Sequence, residues 1–296
     1  MFGFRPDGRR VRKMDPMVQL TPYLMPQRCD AQVFLQQKLD YETLARYIAN
    51  QTNKGNKITF MEIMIAAYIR GISQVPEANR FIVNKQVFSR NELTVSFTML
   101  RNTSDGSIEE TAVKIKFDPT DTIFDVANRV KVVVEENRKE EVANFTLKLV
   151  RTLMSVPLLP NVFVAFVMML DRYGLMPRFL VDAIPFHTGM FITNMASIGM
   201  HSVYHHIYNF GTTSMFLSLG TPERTLTMDA DGQIKRKRLL PVGITADERV
   251  CAGAVYAKLF AVMLNHLNNP ELLEKPPETV KYNDRAEYHV AKPTAK

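Results

Sequence analysis

The sequence predicts an α/β fold, α+β by layer, with one large mixed sheet packed against helices. Three observations carry this. Strand-like runs of period two are interspersed with helices that bear apolar stripes. No Gly/Ser-rich or Pro-rich linker interrupts residues 20–274. The forty residues from Ala183 to Pro222 contain no Asp, Glu, Lys or Arg, which implies strands buried on both faces or in a subunit contact.

Residues 1–17 read as a flexible basic arm, with Arg5, Arg9, Arg10, Arg12 and Lys13 set against Asp7. Residues 18–274 read as a single domain. Asp40 opens a helix to Asn50 with Leu44, Tyr47 and Ile48 on one face. Thr59-Phe60-Met61-Glu62 has the spacing of a capping box and opens an apolar helix that Pro76 stops. Phe81–Phe88 and Glu92–Leu100 read as strands. A turn through Asp105-Gly106 leads to a third strand, Thr111–Phe117. Asp121 starts a long helix striped by Ile123, Val126, Val130 and Val134, with more helix through Met154. Gly189–Asn194 and Ser214–Leu219 read as buried strands. A hairpin pairs Arg224–Met228 with Gln233–Gly243 around Asp229-Ala230-Asp231-Gly232. Gly253–Leu267 is the last helix, and residues 275–296 read as a loose polar tail.

Lys plus Arg outnumber Asp plus Glu by 37 to 30 in 296 residues. The N-terminal run and Lys235-Arg236-Lys237-Arg238 account for that excess. The remaining body is near neutral, which excludes a protein built to coat nucleic acid. Two cysteines supply neither a disulfide framework nor a metal-site spacing, which suits a cytoplasmic setting. The N-terminus has no apolar h-region of a signal peptide. Nineteen uncharged residues lie between Arg151 and Asp171. A span needs roughly 20 apolar residues, and here Pro157, Pro160 and Asn161 interrupt. Only Val162–Leu170 is continuously apolar, which predicts a buried helix rather than a membrane span.

Four segments in order resemble one group, the chloramphenicol acetyltransferase-like superfamily. Its nearer branch resembles the catalytic domain of 2-oxoacid dehydrogenase acyltransferases, the E2 components. The segments are Met25-Pro26-Gln27-Arg28 followed by Phe34, the run Ile58–Ile82 with Pro76 and Asn79, and Ile192-Thr193-Asn194-Met195, with the Ser214–Gly220 strand next. The fourth is Asp247-Glu248-Arg249-Val250-Cys251-Ala252-Gly253-Ala254, with Asn269-Pro270-Glu271-Leu272-Leu273 downstream. The match covers roughly residues 20–275.

The resemblance implies a His in the fourth segment that takes a proton from a coenzyme A or lipoyl thiol. It implies an Asp four residues later holding an Arg of the first segment, and a hydroxyl of the third segment donating to the oxyanion. Here Glu248 stands at the His position and Ala252 at the Asp position; Arg28 and Thr193 remain. A base for a thiol works best near pH 7, against about 4.3 for a carboxylate, and closing that gap costs about 4 kcal/mol. Burial favours the change and neighbouring Arg249 opposes it. The alternative to a Glu248 base is a Glu248–Arg28 ion pair in a retired site.

His201 and His205 have the i, i+4 spacing of a metal-binding helix face, but no third ligand is evident, so no metal is expected. One of His201, His205 and His206 is also a candidate replacement base. Cys251 reads as inert packing. Lys235–Arg238 reads as a solvated face, with coenzyme A phosphates or another anionic partner as the alternative. No lipoyl domain or lipoylation site is present, so the chain cannot carry its own swinging arm. The resemblance implies coenzyme A as ligand and a homotrimer or multiple of trimers, with the charge-free stretch in the contact. The expected function is that of a non-catalytic or weakly active acyltransferase-fold protein with an oligomeric or ligand-binding role. Its rival is a working acyltransferase using Glu248 or a nearby His.

Overall fold

The computed structural model describes residues 4–102, 108–137, 152, 154–228, 231–283 and 290. Its centre is a helix, α3 (Phe60–Gln74), whose residues from Glu62 to Ser73 are all buried. The capping box forms in both directions. Thr59 Oγ1 accepts from the Glu62 amide at 3.4 Å, and Glu62 Oε2 accepts from the Thr59 amide at 2.7 Å. Helix α7 (Gly253–Asn268) packs along α3. At Gly71 a Cβ would meet Leu259 Cδ1 at 2.6 Å, so the absent side chain permits this approach.

Around these helices runs a seven-stranded mixed sheet. Strands β6 (Leu93–Asn102) and β7 (Ile108–Phe117) form an antiparallel hairpin. β6 pairs in parallel with β8 (Met190–Asn194), and β8 with β9 (Met215–Leu219). The sheet is therefore mixed, as the sequence predicted. β8 and β9 come from the charge-free stretch, and β9 is buried throughout. The long strand β11 (Ile234–Asp247) pairs on one side with β9 and then with β10 (Glu223–Met228). On its other side lies β3 (Gln32–Asp40), a strand that the run QVFLQQKLD does not announce by alternation. Helix α2 (Tyr41–Asn53) starts from Asp40, whose carboxylate accepts from the Thr43 amide. Helix α4 (Ile123–Asn137) buries Ile123, Val126 and Val130 as its stripe requires.

Several expectations change. The N-terminal residues do not form a loose arm. β1 (Phe4–Arg5) and β2 (Gly8–Arg10) join β5 (Gln86–Arg90) and β4 (Arg80–Val83) in a second, four-stranded sheet. The cause is a buried ion network: Arg5 donates to Asp7 and to Asp171. Helix α1 (Pro16–Leu24) follows. The run 81–88 is two strands, because Asn84 and Lys85 both take positive φ and turn the chain. The segment 275–283 is docked on α3 and β4. The Lys281 amide donates to Ser73 O at 2.8 Å, and Arg80 donates to Asn283 Oδ1 at 2.8 Å. Helix α5 (Leu159–Tyr173) forms, but it is not a buried helix: Val162 is 65% and Phe166 53% exposed. A short helix, α6 (Arg178–Ala183), leads back to the sheet. The turn at Asp105-Gly106, residues Asp229 and Ala230, and most of the helix expected through Met154 lie outside the described residues. Among the described residues no helix is long and apolar enough to cross a membrane.

Candidate functional site

The first and fourth motif segments meet in space. β11, buried on both faces from Pro241 onward, carries Asp247 inward at the end of the sheet, and Glu248 stands exposed in the turn that follows. Arg249 folds back on Asp247 in a bidentate pair, Nε to Oδ1 at 2.8 Å and Nη2 to Oδ2 at 2.7 Å. Its remaining nitrogen donates to Met25 O and Pro26 O, which ties the first segment to the fourth. Arg28 enters from the other side. Its Nε lies 3.4 Å from Asp247 Oδ2, and Nη1 and Nη2 donate to Tyr208 O at 2.7 Å and Gly211 O at 3.1 Å. Burial lowers the Arg28 pKa, and the charge of Asp247 only partly opposes this.

The Arg28–Glu248 ion pair expected from the sequence does not form. Asp247, the adjacent acid, takes Arg28, and it is the inward-facing residue of the two. The Glu248 amide donates to Ala31 O at 2.9 Å, while the exposed carboxylate receives no hydrogen bond among the described residues. Ala252 is the exposed N-cap of α7 and provides no side-chain cap. Cys251 is buried beside Tyr256, and burial pushes its thiol up to about 12, so it has no nucleophilic character near neutral pH.

Thr193 stands on β8, half-buried, with its hydroxyl 3.8 Å from Met195 Sδ. Register fixes its distance from Glu248. Thr193 pairs with Ser218, and Ser218 with Gly243, five residues before Glu248. At about 3.3 Å per residue and about 4.8 Å between neighbouring strands, five residues and two strand spacings put the two positions roughly 19 Å apart within one chain. The family-position hydroxyl and Glu248 are therefore not brought together in a single copy.

The histidine cluster loses its helical spacing, because residues 201–207 adopt no regular structure. They cross the sheet where Gly243 leaves room; a Cβ there would meet Val203 O at 2.3 Å. His205 stacks on Phe216, ring centroids 4.0 Å apart, and burial lowers its pKa. His201 points outward beside Glu223. Among the described residues no three His, Cys, Asp or Glu side chains are grouped to hold a metal. In the basic run, Lys235, Arg236 and Lys237 are exposed on the β10–β11 hairpin. Arg238 donates to Glu42 Oε1 at 2.7 Å and lies over the Tyr41 ring.

A second buried polar cluster was not legible. His187 lies 3.6 Å from Asp7 Oδ2 and 3.8 Å from Asp171 Oδ1. Nearby Arg90 donates to Thr212 Oγ1 and Ser214 Oγ, and burial lowers its pKa to about 10. These partners come from five separate parts of the chain, and no local spacing announces them.

No family model and no curated protein matches the sequence. Solved structures do. A probable dihydrolipoamide acetyltransferase from Listeria monocytogenes 4b F2365 superposes with a TM-score of 0.56 at 11% identity, over 88% of this chain and 94% of that one. The cubic core of the pyruvate dehydrogenase multienzyme complex gives 0.56 at 13% identity, over 89% and 93%. The dihydrolipoamide acetyltransferase of Azotobacter vinelandii gives 0.55 at 14% identity, over 89% and 94%. The chain has the fold of these acetyltransferase cores.

Proposed function

We propose that this chain is an acyltransferase-fold protein with a retired catalytic centre, which self-associates and binds coenzyme A without moving acyl groups at enzyme rates. The observation that carries the proposal is the state of the fourth segment. Asp247 is committed to Arg28 and Arg249, Glu248 faces solvent, and Ala252 has no group to fix the loop. No side chain there is placed to take a thiol proton. General-base catalysis is worth about 10²–10⁴-fold, and at least that much is lost.

Self-association as a trimer or multiple of trimers is supported by two features. The fold is shared with a solved cubic core, and Thr193 and Glu248 lie too far apart to share a site unless a second copy supplies one of them. For coenzyme A, the exposed Lys235, Arg236 and Lys237 suit phosphate groups, whereas the residues around Glu248 do not suit chemistry on the thiol. Two unbridged cysteines support a cytoplasmic location.

A thiol-release assay with acetyl-CoA and dihydrolipoamide tests the reading. The expected rate equals that of buffer, unchanged by Glu248→Gln. Ordinary turnover abolished by Glu248→Gln would make Glu248 a working base. Light scattering showing only a monomer of 33.8 kDa would remove the oligomeric part.

A further inference from the structure

We propose that helix α5 and the turn before it insert into an anionic phospholipid surface, with α1 lying along the headgroups beside it. The foot of α5 is fixed. Asp171 is buried and receives Arg5 Nη2 at 2.7 Å, Arg172 Nε donates to Asn84 Oδ1 at 3.3 Å, and Gly174 closes the helix in the left-handed conformation. Among the described residues the helix stands clear of the body beyond that foot. Val162, Phe163, Val164, Phe166, Met168 and Met169 are between 44% and 65% exposed. At 100° per residue these positions point in every direction around the axis. The preceding turn adds Met154, Val156 and Leu158 at 67%, 48% and 74%.

A contact with a second protein surface covers one stripe of a helix. A helix that is apolar all round suits a medium that surrounds it, a protein core or lipid, and among the described residues no core encloses this one. No charged residue occurs from Thr152 to Leu170. The rise from Leu158 to Leu170 is about 18 Å at 1.5 Å per residue, near the depth of one hydrocarbon leaflet, about 15 Å. The element dips into a leaflet and is too short to span.

Charge complementarity selects an anionic surface. The β4–β5 turn joins α5 to α1. Asn84 receives Arg172, and Lys85 Nζ lies 5.4 Å from the centroid of the Tyr23 ring. On α1, Met17, Leu20 and Leu24, at i, i+3 and i+7, are 68%, 45% and 70% exposed, so its apolar stripe faces out. The exposed charges of residues 9–24 are Arg9, Arg10, Arg12, Lys13 and Asp15. With Lys85 and Arg172 they place a basic rim at the base of the apolar projection, the pattern of an interfacial anchor.

The test is vesicle flotation of the full chain, with phosphatidylcholine alone and with phosphatidylcholine plus phosphatidylserine. The chain is expected to float with the mixed vesicles, and at least tenfold less with the neutral ones. Phe163→Asp/Phe166→Asp should lower flotation at least tenfold with an unchanged far-UV circular dichroism spectrum, since both side chains are exposed. Arg12→Glu/Lys13→Glu should abolish the preference for anionic vesicles. A chain that stays at the bottom with both vesicles overturns the proposal, as does a double Phe variant that floats like the parent. If the parent does not float and the Phe variant has a smaller oligomeric mass, the patch is a contact between copies and the lipid proposal fails.

Discussion

Arg28 Nε stands 3.4 Å from Asp247 Oδ2, and both side chains are almost wholly buried. The same carboxylate holds Arg249 in a bidentate pair, so one acid is shared between two buried guanidinium groups. It also locks three segments together, at residues 25–31, 208–211 and 247–249. Removing one partner of a buried pair leaves the other charged and unpaired, at about 3–5 kcal/mol. Asp247→Asn should cost at least that much in urea unfolding, while Glu248→Gln, on an exposed carboxylate, should stay within about 0.5 kcal/mol of wild type. Equal midpoints for the two variants would refute the assignment of Asp247 as the keystone.

Asp7 holds Arg5, the residue that ties the N-terminal strands to α5. Burial raises the Asp7 pKa, but the His187 ring 3.6 Å away and the charge and hydrogen bonds of Arg5 outweigh burial, so its carboxyl is held well below the usual carboxylate range. The folded value is depressed. The stabilisation is therefore fully present above the ordinary carboxylate pKa, about 3.9, and is lost as pH falls below it toward the folded value. Asp7→Asn should be less stable than wild type at pH 7, and the difference should shrink steadily below about pH 4. Urea midpoints across that range check this. A difference that stays constant with pH would mean that Asp7 contributes only packing.

The two thiols should behave oppositely. Cys29 is exposed and Cys251 is buried, with its thiol pushed up to about 12. At pH 8 an aromatic disulfide reagent should react promptly with one thiol per chain and with the second only in denaturant. Cys29→Ser should leave the native protein unreactive. Prompt reaction of both thiols in native protein would show that the loop around Cys251 opens, which would weaken the account of the fourth segment as a locked structure.

The sequence announced what local rules control. The Thr59/Glu62 capping box, the α4 stripe and the buried strands from the charge-free stretch all formed where pattern alone placed them. It hid what depends on distant partners. Arg5 looks like one cation of a basic tail until Asp171, 166 residues away, receives it. The Arg28 partner was misassigned between neighbours, because spacing alone does not say which of Asp247 and Glu248 faces inward. The β4–β5 turn was missed because Asn84-Lys85 lacks the glycine that marks such turns. Segment 162–170 reads as core because apolar runs are buried in most soluble folds; here they project.

Installing the residues that the resemblance implies at positions 248 and 252 should not install the chemistry. Ala252 occupies the N-cap of α7 in an extended conformation, φ −61 and ψ 150, with no side-chain cap. Ala252→Asp can place a carboxylate on the free amides of the first turn and should stabilise the protein by about 1 kcal/mol. It should not capture Arg28, whose guanidinium is already held by Asp247, Tyr208 O and Gly211 O. Glu248→His places an imidazole on an exposed position, unanchored and roughly 19 Å from Thr193 of the same chain by strand register. A base misplaced by about 1 Å can lose 10²-fold, and this one has nothing to orient it. The two changes together should therefore show the stability gain of Ala252→Asp alone and a thiol-release rate within about threefold of the parent, well short of the 10²-fold or more that a placed base supplies. Four proteins in one assay at fixed pH decide the matter. A double variant at least 10²-fold faster than either single one would show that the site is dormant rather than dismantled. Arg28 would then have to exchange its partner when an acid appears at residue 252.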